Sequence, residues 1–147
     1  MYHATMYILL AFVAAALHFI WESLHIHLYT GYESLGGGIP ITAYATAGDV
    51  IYTVAAVLAV AAFKRKLDWM RDATRANFAS LAIIGFCIAC FVEYKALVFD
   101  RWAYTWDMPI IPLLNIGLSP MLQMAILLPM SVWLASNIVG RISINTG

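Results

Sequence analysis

Four long apolar runs, separated by short polar or proline-rich connections, dominate the pattern of hydrophobic and polar positions along the chain. They extend over 6–29, 43–63, 77–99 and 118–139, each close to the roughly 20 residues that an α-helix needs to cross a hydrocarbon layer. The pattern predicts an all-α polytopic membrane protein, a single four-transmembrane-helix bundle over residues 1–147. The first run is not read as a signal peptide, because "MYHATMY" lacks a basic start and no small-x-small cleavage site follows. "GGGIP", from Gly36 to Pro40, breaks the chain between the first two helices. The last connection carries Pro109 and Pro112 before "NIGLSP", and is expected to fold back over the bundle mouth as a partial lid. Pro120 fits the first turn of helix four, whereas Pro129 inside it predicts a kink or a freed carbonyl. No internal repeat is visible.

Composition agrees with this pattern. The 147 residues are 63% hydrophobic and 11% charged, with a formal net charge of zero, so nucleic acid is not an expected partner. Six of the eight Lys and Arg residues are Lys64, Arg65, Lys66, Arg71, Arg75 and Arg141, all on one side of the four spans. The positive-inside rule makes that side cytoplasmic and, with an even number of spans, puts both termini there. The expected location is the plasma membrane of a bacterium or archaeon. Trp102, Tyr104 and Trp106 then suit an interfacial belt on the outer side.

The polar residues inside the spans are concentrated toward that outer side. In "HFIWESLHIHLY", continued helix puts His18, Glu22, His25 and Tyr29 at roughly 0, 40, 340 and 20° on the helical wheel. They form one stripe, with His27 opposite and read as interfacial. Asp49 and Tyr52 in helix two, Glu93 and Tyr94 in helix three, and Gln123 in helix four come at matching depth. Ionisable groups inside a membrane cost about 2.5–3.5 kcal/mol each, so they face the bundle interior and pair. An outward-opening polar pocket is therefore expected. Its candidate catalytic residues are His18, Glu22, Asp49 and Glu93. Its candidate binding residues are Trp21, His25, Tyr29, Tyr52, Tyr94, Trp102 and Gln123. Lys95 is read as snorkelling to the interface rather than pairing with Glu93. Helix–helix adhesion through hydrogen bonds is the plainer alternative, but it needs neither three carboxylates nor two histidines.

Several chemistries compete for this set. His18 and His25 lie about 10.5 Å apart along a helix, too far for one ion whose ligand atoms all sit about 2 Å away. No cofactor is expected, and a metal completed by Asp49 or Glu93 is the minor alternative. Cys87 and Cys90 make a CxxC near mid-membrane, similar to the motif of quinone-linked thiol oxidoreductases such as the vitamin K epoxide reductase family. That chemistry needs a second cysteine pair, and the chain has two cysteines in all. A His–Glu pair one turn apart suits proton transfer near neutrality, and Trp21 or Tyr52 can face a cationic intermediate.

"ALHFIWESLHIHLYTGYESLG" resembles the helix that opens the EXPERA domain of the emopamil-binding sterol isomerases, on the strength of the HxxxE at His18 and Glu22. The resemblance covers that helix only and implies double-bond migration by protonation and deprotonation within a membrane cavity. "GDVIYT" and the segment from "RWAY" onward are more similar to small bacterial four-span membrane proteins. "RWAY" also resembles membrane carotenoid cyclases. The expected partner is an apolar small molecule, a lipid or an isoprenoid, handled by acid–base chemistry of the isomerase or cyclase type. The alternatives are a proton- or cation-coupled transporter or channel subunit, working as a homo-oligomer, and a non-catalytic assembly subunit.

Overall fold

The computed structural model describes residues 2–31 and 39–145. Gly36, Gly37 and Gly38 of the expected break lie outside the described residues. Four helices carry the fold: α1 (Tyr2–His25), α2 (Ile41–Lys64), α3 (Arg75–Val98) and α4 (Leu118–Asn145). Each is long and apolar enough to cross a membrane, which points to an integral membrane protein. Large apolar side chains face outward along the helices, among them Phe12, Ile51, Ile83 and Phe91, as a bilayer-solvated surface requires.

The helices begin and end where local chemistry permits rather than where hydropathy changes. α3 starts two residues earlier than its apolar run because Thr74 caps it, accepting from the Asn77 backbone N–H while the Asn77 side chain accepts from Thr74 N. α4 continues past 139, since a helix need not stop where the membrane does. It includes Pro120 in its first turn and runs on through Pro129. α1 ends at His25, four residues earlier than the sequence predicts. The chain tightens there into a 3-10 turn (Ile26–Leu28) and then becomes extended.

The extended piece explains the early stop. Strand β1 (Tyr29–Thr30) pairs antiparallel with β2 (Ala103–Tyr104), Tyr29 opposite Tyr104. A hairpin joins β3 (Ile110–Ile111) to β4 (Ile116–Gly117), with Asn115 in the left-handed conformation of its turn. These short ladders fold the connection from 99 to 117 back against the bundle, where Met108 and Ile116 are buried. We call this the sheet end of the bundle, and the end carrying Lys64 to Arg75 the basic end.

α4 lies between α1 and α3, and α2 packs on the far side of α1 and meets α3 only sparsely. Along the sparse contact runs an apolar groove of about 340 Å³, lined by Tyr52, Ile84, Cys87 and Phe91 among others. The α3–α4 contact is the closest. Gly85 allows it, because a Cβ there would lie 2.3 Å from the Met124 carbonyl oxygen, and Ala89 one turn on is buried in the same interface.

Candidate functional site

The polar side chains of three helices converge on one atom. Gln123 Nε2, on buried α4, donates to Glu22 Oε1 of α1 and to Asp49 Oδ2 of α2, each at 2.8 Å. His18, fully buried one turn from Glu22, brings its Nδ1 to 3.3 Å from Asp49 Oδ2 and its Nε2 to 3.4 Å from Thr53 Oγ1. Gln123 Nε2 also lies 3.1 Å from His18 Nδ1. A primary amide has two hydrogens, and the two shorter contacts take both. His18 Nδ1 faces Gln123 Nε2 and Asp49 Oδ2 together, while its Nε2 faces the Thr53 hydroxyl. Helical spacing makes the arrangement local: His18 and Glu22 share one face of α1, and Asp49 and Thr53 lie one turn apart on α2. The Asp49 side chain keeps 21% of its surface exposed, so the cluster is not sealed.

Glu93 is buried on α3 in a separate set. Tyr104 donates its hydroxyl to Glu93 Oε2 at 2.6 Å, and the Trp102 indole donates to the same oxygen at 3.2 Å. Glu93 thereby ties the folded-back connection to α3. Burial, and then the Glu93 charge, push the Tyr104 phenol above its ordinary value, so it remains a donor throughout the physiological range. Tyr29 is pushed upward in the same order of causes, and its ring lies edge-on to Trp102 and tilted against Tyr104.

The single stripe expected on α1 thus divides. His18 and Glu22 enter the cluster, but Tyr29 leaves the helix, because pairing with β2 ends α1 first. His25 turns back on its own helix, its Nδ1 2.9 Å from the Trp21 carbonyl oxygen and its ring stacked 4.6 Å from the Trp21 ring. Tyr94 is 65% exposed on the outside of α3, so the structure does not bring it to the cluster. Tyr52 lines the apolar groove beside Thr53. Trp102 and Tyr104 face inward on Glu93, leaving Trp106 as the outward-facing ring of the expected belt. Lys95 is exposed and is not among the groups bonded to Glu93. Cys90 contacts the Met121 sulfur, and Cys87 is exposed on the groove. Among the described residues, no three His, Cys, Asp or Glu side chains are gathered as a metal ion would need.

Thr53 and Thr46 complete the α2 face. Thr46, Asp49 and Thr53 recur at spacings of three and four, a helical face legible in the sequence. Thr46 Oγ1 is buried and, among the described residues, has no hydrogen-bond partner. Its desolvation is uncompensated, so Thr46→Val, which keeps the shape, is expected to raise stability by about 1 kcal/mol in thermal unfolding of the ligand-free protein. An unchanged or lowered stability would show that the hydroxyl has a partner when the protein is in solution.

No protein-family model, curated protein or solved structure matches the chain.

Proposed function

We propose that the chain is an integral plasma-membrane protein of a bacterium or archaeon that carries out acid–base isomerisation or cyclisation of an unsaturated apolar lipid, isoprenoid in class. The convergence of Glu22, Asp49 and His18 on Gln123 is the observation that carries this reading. Two carboxylates held by one amide nitrogen, with an imidazole against one of them, form a set that can hold a single proton and exchange it among neighbours. A carboxyl of the pair gives its proton to one carbon of a double bond, forming a C–H bond and a carbocation. The other carboxylate faces the cation, and a proton lost from an adjacent carbon returns to the set as the new double bond forms. Proton count and charge balance over the cycle, so no oxidant or co-reactant is required.

The one-sided distribution of polar groups supports chemistry over conduction. Toward the basic end, the buried polar side chain beyond the cluster among the described residues is Ser131, whose hydroxyl bonds the Leu127 carbonyl. A proton path across the bundle would need more. With the basic end cytoplasmic, as its lysines and arginines favour, the cluster faces the outer leaflet. The groove beside Tyr52 offers hydrocarbon-compatible space next to it.

Exchange with solvent tests the reading whichever lipid is the substrate. Membranes containing the protein, incubated in deuterium oxide, should yield isoprenoid lipids carrying carbon-bound deuterium, read by mass spectrometry of the extract. Glu22→Gln and His18→Ala should each reduce incorporation at least a hundredfold, in line with loss of general acid–base catalysis. Lys95→Gln should not change it. Proton flux in proteoliposomes without carbon-bound deuterium would replace this reading with proton-coupled transport.

A further inference from the structure

A second cavity, about 550 Å³, lies at the sheet end between the end of α1, the connection before β3 and the start of α4. Its walls are Leu24, Leu28, Leu118 and Leu122, of which Leu24, Leu118 and Leu122 are substantially exposed, so the cavity opens sideways toward the bilayer. Its polar lining comes from His25, His27, Asp107 and Ser119. An apolar hollow of this size with a few converging polar groups has the make-up of a small-molecule site. His27, which the sequence leaves as a plain interfacial residue, is part of it.

Trp21 links this cavity to the acid cluster along α1. Its indole donates to Ser119 Oγ at 3.3 Å, joining α1 to α4. The next rung between the same two helices is Glu22 to Gln123. Glu22 follows Trp21 directly, and Gln123 follows Ser119 by one turn. Trp21, held by one long hydrogen bond and the stack on His25, is therefore the lining residue next along α1 to the acid Glu22.

The lining selects the ligand's head. The lining mixes a carboxylate, two imidazoles and a hydroxyl, so a phosphate would meet the charge of Asp107 and a bare hydrocarbon would leave all of these groups unanswered. A hydroxyl, both donor and acceptor, satisfies either kind of neighbour. We propose that the cavity binds a long-chain alcohol, its hydroxyl among His27, Asp107 and Ser119 and its hydrocarbon along the leucines, with Trp21 as the partition it must pass to reach the acids. Binding stands independently of the proposed reaction; only the passage past Trp21 rests on it.

Farnesol serves as the probe, with farnesyl phosphate, farnesylamine and the parent hydrocarbon as comparisons, added to the full chain in phosphatidylcholine nanodiscs. Farnesol should raise the unfolding temperature in a saturable way, farnesyl phosphate and the parent hydrocarbon should bind at least tenfold more weakly, and farnesylamine binding more tightly than farnesol would overturn the assignment to an alcohol. Asp107→Leu and His27→Leu alter exposed positions and should fold normally. Each should weaken farnesol binding by about tenfold, the equivalent of one lost hydrogen bond. Trp21→Phe keeps a ring but removes the bond to Ser119, and should speed deuterium incorporation into the bound alcohol while leaving its affinity within about threefold. Equal binding of farnesol and the hydrocarbon, or indifference to both rim substitutions, overturns the site. Rim-dependent binding of farnesol without any deuterium exchange leaves the site standing and overturns the reaction instead.

Discussion

Gln123→Leu is expected to destabilise the protein by about 3–5 kcal/mol and, on the reaction proposed above, to abolish turnover, although Gln123 itself transfers no proton. The substitution is nearly isosteric, so packing changes little. What disappears is the one donor that two acids share. Each hydrogen bond to a charged group contributes about 1.5–3 kcal/mol, and breaking a buried polar set by removing one partner costs more than the bonds themselves. Left behind are two carboxylates with His18 as their remaining neighbour in the set. Unfolding in mixed micelles, followed by circular dichroism, measures the loss. Glu22→Gln added to Gln123→Leu removes one acid and supplies an amide in its place, so the double variant should recover more than half of the lost stability. A Gln123→Leu protein as stable as the parent would mean that the network does not hold α2 to the rest.

The second large effect lies away from any acid. Gly85→Leu is expected to cost more than 3 kcal/mol, and Gly85→Ala about 1–3 kcal/mol. The atoms that a Cβ would strike, the Met124 carbonyl carbon and oxygen, belong to the backbone of α4 and cannot rotate away. α4 must shift as a body, and Gln123, the residue before Met124, shifts with it. Both variants should therefore lose deuterium exchange out of proportion to their loss of stability. Measuring exchange and unfolding together at a temperature where Gly85→Ala is still folded checks this. Exchange intact in a folded Gly85→Ala protein would show that the cluster tolerates displacement of α4.

What the sequence reveals, and what it hides, follows from the range over which each feature is determined. The four helices rest on local hydropathy, and all four are where the apolar runs place them, give or take a turn at the ends. Depth predicts the meeting of His18, Glu22, Asp49 and Gln123, but it equally predicts Glu93 among them, and the structure holds Glu93 in a separate set with Trp102 and Tyr104. The end of α1 is not predictable in this way. Its residues would continue a helix locally, and the strand pairing that stops it comes from Ala103 and Tyr104, more than seventy positions later. Extrapolating the wheel through Tyr29 therefore puts one residue too many on the stripe. Tyr94 misleads for a related reason: its depth matches that of Glu93, but one residue's step rotates it about 100° to the outer surface. The central position of Gln123 among the acids has no signal beyond its depth, since a single glutamine in an apolar helix announces no partner.

The placement of α4 between α1 and α3 also governs the order in which the chain can assemble. The last helix to be synthesised lies between the first and the third, and the bonds it supplies span 101 residues to Glu22 and 74 to Asp49. Until α4 arrives, Glu22 and Asp49 lack the amide they share, and α3 has no partner for its Gly85 face. α1 and α2 can pack on each other without α4, whereas α3 meets them only sparsely until it stands between. A chain ending before residue 118 would therefore be expected to keep the α1–α2 pair while leaving α3 undocked.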